Sequence, residues 1–198
     1  MDTTTPASDP RGAELLRAAF RDVHGPRLHG FALLLSLGDR NRAAAAASRA
    51  ISAGMDRADE LRHPERAAAW LRARVLREMR FAGGAGPQSI ASRDAAMGDV
   101  GLAEPAADAL AHLSIEQRAA LISSAIEGLE LGDVATVLDR GLSGTRRSIH
   151  AARAAYLAAA THWLHGTDVA ALPGGELSRR VDEAATWAVG ARHERVAQ

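Results

Sequence analysis

Residues 128–158 read GLELGDVATVLDRGLSGTRRSIHAARAAYLA. The apolar residues Val134, Val137 and Leu138 recur at helical spacing and predict a short helix over 132–138. Asp139-Arg140-Gly141 then supplies turn chemistry, and Ser143 reads as the cap of a second helix running to at least Ala158. A short helix, a brief Gly-containing turn and a longer helix make a helix-turn-helix layout. On the second helix Arg146, His150 and Arg153 fall at i, i+4 and i+7 and share a face, while Ile149 and Tyr156 share another. Thr145 and Arg147 flank its start. An apolar inner stripe beneath a basic outer face suits a helix lying in the DNA major groove, where arginine reaches guanine edges or phosphates. The same pattern also fits a surface helix with solvated arginines.

Working outward, Ser114-Ile115-Glu116-Gln117 is a capping box, and Leu121, Ile122 and Ile126 continue that helix to Gly128. Upstream, Gly83-Gly84-Ala85-Gly86-Pro87 is the clearest linker signal in the chain. Before it, Ala68, Leu71, Val75 and Met79 form a helical stripe that starts near Pro64, and Ala43–Met55 is alanine-rich helix. Leu16, Phe20 and Val23 form a further stripe, which Gly25-Pro26 is expected to interrupt before Leu28, Phe31, Ala32 and Leu35 resume it. Strand-type alternation is missing throughout. The expectation is an all-α chain with one helical domain at 11–82, a flexible linker at 83–105, a second helical domain at 106–160, and an appended helical extension at 161–198. In that extension Leu177, Val181, Ala184 and Ala185 share a face.

The composition agrees. Of 198 residues 47 % are hydrophobic but only 4 % aromatic, and alanine is abundant, which favours close helix packing over a β-sandwich. With no cysteine, disulfides, thiol catalysis and zinc ribbons are excluded. No signal-peptide pattern and no membrane-length apolar run is visible, so a cytoplasmic, non-membrane protein is expected. All the basic residues other than histidine are arginine, and the net charge of zero hides a net +4 over 1–82, −6 over 83–142 and +3 over 143–160. No nucleophile motif, P-loop, dinucleotide fingerprint or carboxylate pair stands out, so neither an enzyme nor a cofactor is expected. His162 and His165 have a metal-capable spacing but no third ligand nearby, which argues against a metal site.

From Ala109 to Ala159 the chain resembles region 4 of bacterial RNA polymerase sigma factors of the extracytoplasmic-function class. Gln117-Arg118, Glu127-Gly128-Leu129, Ala135, Leu138, His150 and Ala152-Arg153-Ala154 fall in register with that family without a gap. The stretches from Ala19 to Arg40 and from His63 to Arg80 resemble region 2. The resemblance implies a factor whose region 2 binds RNA polymerase core and opens promoter DNA, and whose region 4 reads the promoter through its second helix. Ser143, Thr145, Arg146, Arg147, His150 and Arg153 would then face DNA, and an anti-sigma factor would be a further partner. The departures lie in region 2. In GDRNRAAAAASRAI, residues 38–51, Ala44, Ala45 and Ser48 replace the family's Glu, Asp and Gln, and Arg49 replaces an acid. Asp139 replaces its turn glycine.

Arg66, Trp70, Arg74 and Arg77 share one helical face. The three arginines are candidate DNA contacts through phosphate pairing, with Trp70 read as a packing residue. Two other readings remain at this level. One is a degenerate sigma-like regulator that binds DNA, an anti-sigma factor or another sigma factor without directing initiation. The other is a dimeric repressor, disfavoured because its helix-turn-helix usually lies at the N-terminus.

Overall fold

A computed structural model describes residues 10–57, 64–81, 90–102 and 104–160. Among these residues the chain is all-helical: α1 (Pro10–Leu35), α2 (Arg40–Met55), α3 (Pro64–Phe81), α4 (Ile90–Asp99), α5 (Glu104–Ala111), α6 (Ile115–Leu121), a π-helix (Ile122–Ile126), α7 (Leu131–Leu138) and α8 (Leu142–Ala160). The glycine-rich run 83–87 and the extension 161–198, with His162 and His165, lie outside the described residues.

The end of α1 is the centre of the molecule. Phe31 through Ser36 are all buried, so this helix is covered on every side. Each fully buried Leu or Phe of this kind contributes about 1.5–3 kcal/mol. The helix is continuous through Gly25-Pro26, where the sequence suggests an interruption. Two local features allow this. Gly25 has no Cβ to clash with the proline ring, and the carbonyl left without a donor belongs to Asp22, which is exposed to water. The inner line is Phe20, His24, Leu28, Phe31 and Leu35 rather than one through Val23, which is 63 % exposed.

Gly38 stops α1. Its N–H reaches the Leu33 carbonyl at 2.9 Å with φ at +84°. A Cβ there would also sit 3.1 Å from the Arg93 carbonyl of α4, so the turn needs glycine twice over. Asp39 then caps α2 by accepting from the Arg42 N–H at 2.9 Å. The buried residues of α2 are Ala43, Ala46, Ala47, Ala50, Ile51 and Gly54. These small side chains let α2 lie close against α1 and α3; a Cβ on Gly54 would come within 2.9 Å of Leu71. On α3, Leu71, Val75 and Met79 are buried as their spacing predicts, whereas Ala68 is half-buried.

The expected flexible stretch 83–105 contains a helix. Ala96 and Met97 of α4 are buried, and Leu102 follows them into the core. The helices on either side of this stretch share one continuous core: α3 packs against α7, and α6 touches both α1 and α3. A buried ion pair crosses the same seam. Arg72 of α3 donates from Nε and Nη2 to Glu127 at 2.5 and 2.6 Å, with side chains 6 % and 15 % exposed. The Arg72 guanidinium also lies over the Phe31 ring.

The capping box forms as read, with the Gln117 N–H donating to Ser114 Oγ at 3.2 Å and the Ser114 N–H to Gln117 Oε1 at 2.9 Å. Past Leu121 the helix widens into a π-turn, which an even helical period does not foretell. Residues 119–123 are consecutively buried here, because α8 covers one side of the segment and α1 and α3 the other. The turn closes at Gly128, whose φ is +64°.

Candidate nucleic-acid interface

The stretch read as a helix-turn-helix is occupied by α7, residues 139–141 and α8. Val134, Val137 and Leu138 hold α7 to the core. Asp139 ends it in the left-handed conformation, at φ 54° and ψ 53°, and the Arg140 N–H closes the turn onto the Ala135 carbonyl at 3.1 Å. An aspartate tolerates this backbone better than most residues but less well than glycine. The first bond of α8 runs from the Thr145 N–H to the Gly141 carbonyl at 2.9 Å, so Gly141 takes the cap position. The cap expected at Ser143 is displaced: Ser143 lies inside the first turn and is exposed.

The predicted side chains of α8 divide by face. Arg146, Arg147 and His150 are exposed together with Ser143. Neither Arg146 nor Arg147 has an ion-pair partner among the described residues. Thr145 is fully buried and donates from Oγ1 to the Gly141 carbonyl at 3.1 Å, so it serves the turn and does not reach outward as expected. Ala152, Tyr156 and Leu157 are buried with it, and burial raises the Tyr156 pKa. Arg153 is half-buried, with its Nε shut away from solvent, which separates it from the exposed pair at the helix start. Behind the basic turn the exposed residues are Ala151, Ala154 and Ala158, small enough to let the helix axis approach a groove closely.

One cation escaped the sequence reading. Arg140, in the turn, is exposed and donates from Nη1 to Ser148 Oγ at 3.0 Å, which ties it against α8. The signal was available: an arginine just ahead of a basic helix, with a hydroxyl eight residues on.

No known protein family, characterised protein or solved structure matches the chain. The arginines proposed on α3 belong to a different element from α8, which packs on α5, α6 and α7. Arg66 and Arg77 are exposed. Arg74 lies 3.5 Å from Glu78, a carboxylate that also accepts from Arg49 of α2 at 3.0 Å. Trp70 is half-buried against the core with Arg57 over its ring at 5.5 Å. No group of three or more metal-ligating side chains occurs among the described residues, and no described helix is long and apolar enough to cross a membrane.

Proposed function

We propose that this protein recognises promoter DNA through α8 and acts as a sigma-type transcription initiation factor that brings RNA polymerase core to promoters. The observation that carries DNA recognition is the outward face of α8. Arg146, Arg147 and His150 stand exposed on its first turns, and Thr145, Ala152 and Tyr156 anchor the opposite face. Groove-entering helices present their N-terminal residues to base edges, where an arginine binds guanine bidentately. Residues 143–160 contain no acid to repel phosphate. Polymerase recruitment rests on the resemblance to the two sigma regions, in family order.

The test is co-elution of the purified chain with RNA polymerase core, followed by run-off transcription from the protein's own upstream region. A specific transcript that needs both the chain and core supports the reading. Failure of both assays removes the initiation role.

A second reading, a sigma-like regulator that binds DNA, an anti-sigma factor or another sigma factor without directing initiation, is favoured by one specific feature. At the position where the resembling family carries an acid for polymerase, Arg49 is bonded to Glu78 of the same molecule. Charge complementarity at that contact would therefore be lost or reversed. DNA binding without co-elution with core selects this second reading.

A further inference from the structure

The charge of α8 is one-sided. Gly144, Ser148, Ala151 and Ala155 follow one another at i, i+4, i+7 and i+11 and form one flank of the helix, with no charge among them. Arg146, Arg147 and His150 stand on the rest of the exposed face, and Arg153 lies half-buried beyond them. The cation on the bare flank comes from outside the helix. Arg140, in the turn, is exposed and donates from Nη1 to Ser148 Oγ at 3.0 Å. A Cβ on Gly144 would meet the Arg140 Cβ at 3.9 Å, so the arginine runs along this flank from Gly144 to Ser148. Among the described residues it has no ion-pair partner. The bond to Ser148 uses one of the five N–H groups of the guanidinium. Beside it an open recess of about 500 Å³ is lined by Ala135, Thr136, Asp139, Arg140 and Gly141.

We propose that Arg140 is a DNA phosphate contact, held in place by Ser148, on the flank of α8 that has no cation of its own. The proposal rests on the reading of α8 as a groove-bound helix. A helix in the major groove has a phosphate backbone on either side of it, and the element before it crosses that backbone. The helix's own charges serve one side, and Arg140 serves the other. Its planar fork matches phosphate oxygens. The bond to Ser148 orders the side chain beforehand, which reduces the entropy lost on binding. A phosphate contact sets the register of the helix on the duplex and carries no sequence information. Arg140 therefore differs in kind from Arg146, which is expected to discriminate between bases. Asp139 lines the same recess, and its carboxylate opposes a phosphate there.

The experiment uses the full chain, with anisotropy over a range of salt on the best duplex from a promoter pool and on its scrambled version, alongside thermal melts. Arg140→Gln is expected to weaken binding several-fold and equally on both duplexes. Its logarithmic salt slope should be smaller by about one unit and its melting temperature unchanged. Ser148→Ala frees the guanidinium but keeps its charge, so it should lose part of that affinity with the salt slope retained. The double variant should bind no more weakly than Arg140→Gln alone, because Ser148 acts only through Arg140. Asp139→Asn, which keeps a residue that tolerates the left-handed turn, should bind more tightly than wild type. A wild-type chain that binds neither duplex removes the reading of α8 and this proposal with it. Binding by the wild type with an unchanged salt slope in Arg140→Gln overturns this proposal alone. So does a lowered melting temperature with affinity retained, which would assign Arg140 to the stability of the turn. Additive losses in the double variant would remove Ser148 from the contact, and no gain in Asp139→Asn would place the recess away from the duplex.

Discussion

Arg40, Arg49, Arg72, Arg74 and Arg80, on α2 and α3, each end on an acid: Asp99, Glu78, Glu127, Glu78 again and Glu116. Arg146 and Arg147, on α8, project outward with none in reach. The residue type is the same, and the difference lies in the acids the fold delivers. Glu78 stands on α3 four residues after Arg74 and facing Arg49, while α4, α6 and the π-helix end bring Asp99, Glu116 and Glu127 to their partners. On α8 no helical neighbour is acidic. A run of arginines along a sequence therefore does not by itself identify a partner surface; the arginines that the fold leaves unneutralised are the candidates.

The largest effect should come from the buried member of the paired set. Arg72→Ala strands the Glu127 carboxylate in the seam and should cost about 3–5 kcal/mol, read as a lower urea midpoint. Replacing both partners by apolar residues, Arg72→Met with Glu127→Leu, should recover most of that loss. If Arg72→Ala is near neutral, the seam is not held by this pair.

On the outward set, Arg146→Ala should leave stability unchanged within about 0.5 kcal/mol. It should also lose about 1–3 kcal/mol of preference between its best DNA sequence and a scrambled one, measured by competition binding. A lowered melting temperature with unchanged preference would move Arg146 into the paired class.

Arg72 also acts on α1. Burial and then the Arg72 charge lower the His24 pKa below 6.5. The folded state therefore binds fewer protons than the unfolded chain, and stability should fall as pH drops below about 6.5 toward the folded value. Urea midpoints at pH 7 and pH 5.5 should show that fall in the wild type and a smaller one in His24→Gln. Equal falls would remove His24 from the account.

The smallest effect belongs to the exposed pairs. Arg49, half-exposed beside Glu78, should cost no more than about 1 kcal/mol as Arg49→Ala, because solvent screens the pair. A larger loss would show that the α2–α3 face depends on it.

The sequence was legible where periodicity and capping act locally. The two helices at 131–138 and 142–160, the capping box at Ser114 and the stripe of Leu71, Val75 and Met79 stand close to where their spacing puts them. The misses are tertiary. Pro26 sits inside α1 because Gly25 precedes it and Asp22 faces water, a combination that a rule about proline alone does not weigh. The helix at 90–99 is weakly patterned and owes its place to Ala96 packing on Gly38, a contact some sixty residues distant in sequence. On α8 the i, i+4, i+7 pattern put Arg146, His150 and Arg153 on one face, but burial splits them, because the helix-end packing that covers Leu157 also encloses Arg153. Thr145 looked available for DNA because a hydroxyl's use is set by its environment, here a buried turn carbonyl.

The exposed arginines of α8 are proposed to meet DNA. Fluorescence anisotropy of the full chain on a labelled promoter pool, at low and at moderate salt, tests this most directly with wild type and Arg147→Ala compared side by side. The expected result is binding that weakens steeply with salt, with Arg147→Ala weaker, its logarithmic salt slope smaller by about one unit, and its melting temperature unchanged. No binding at low salt, or identical curves for the two proteins, would contradict it.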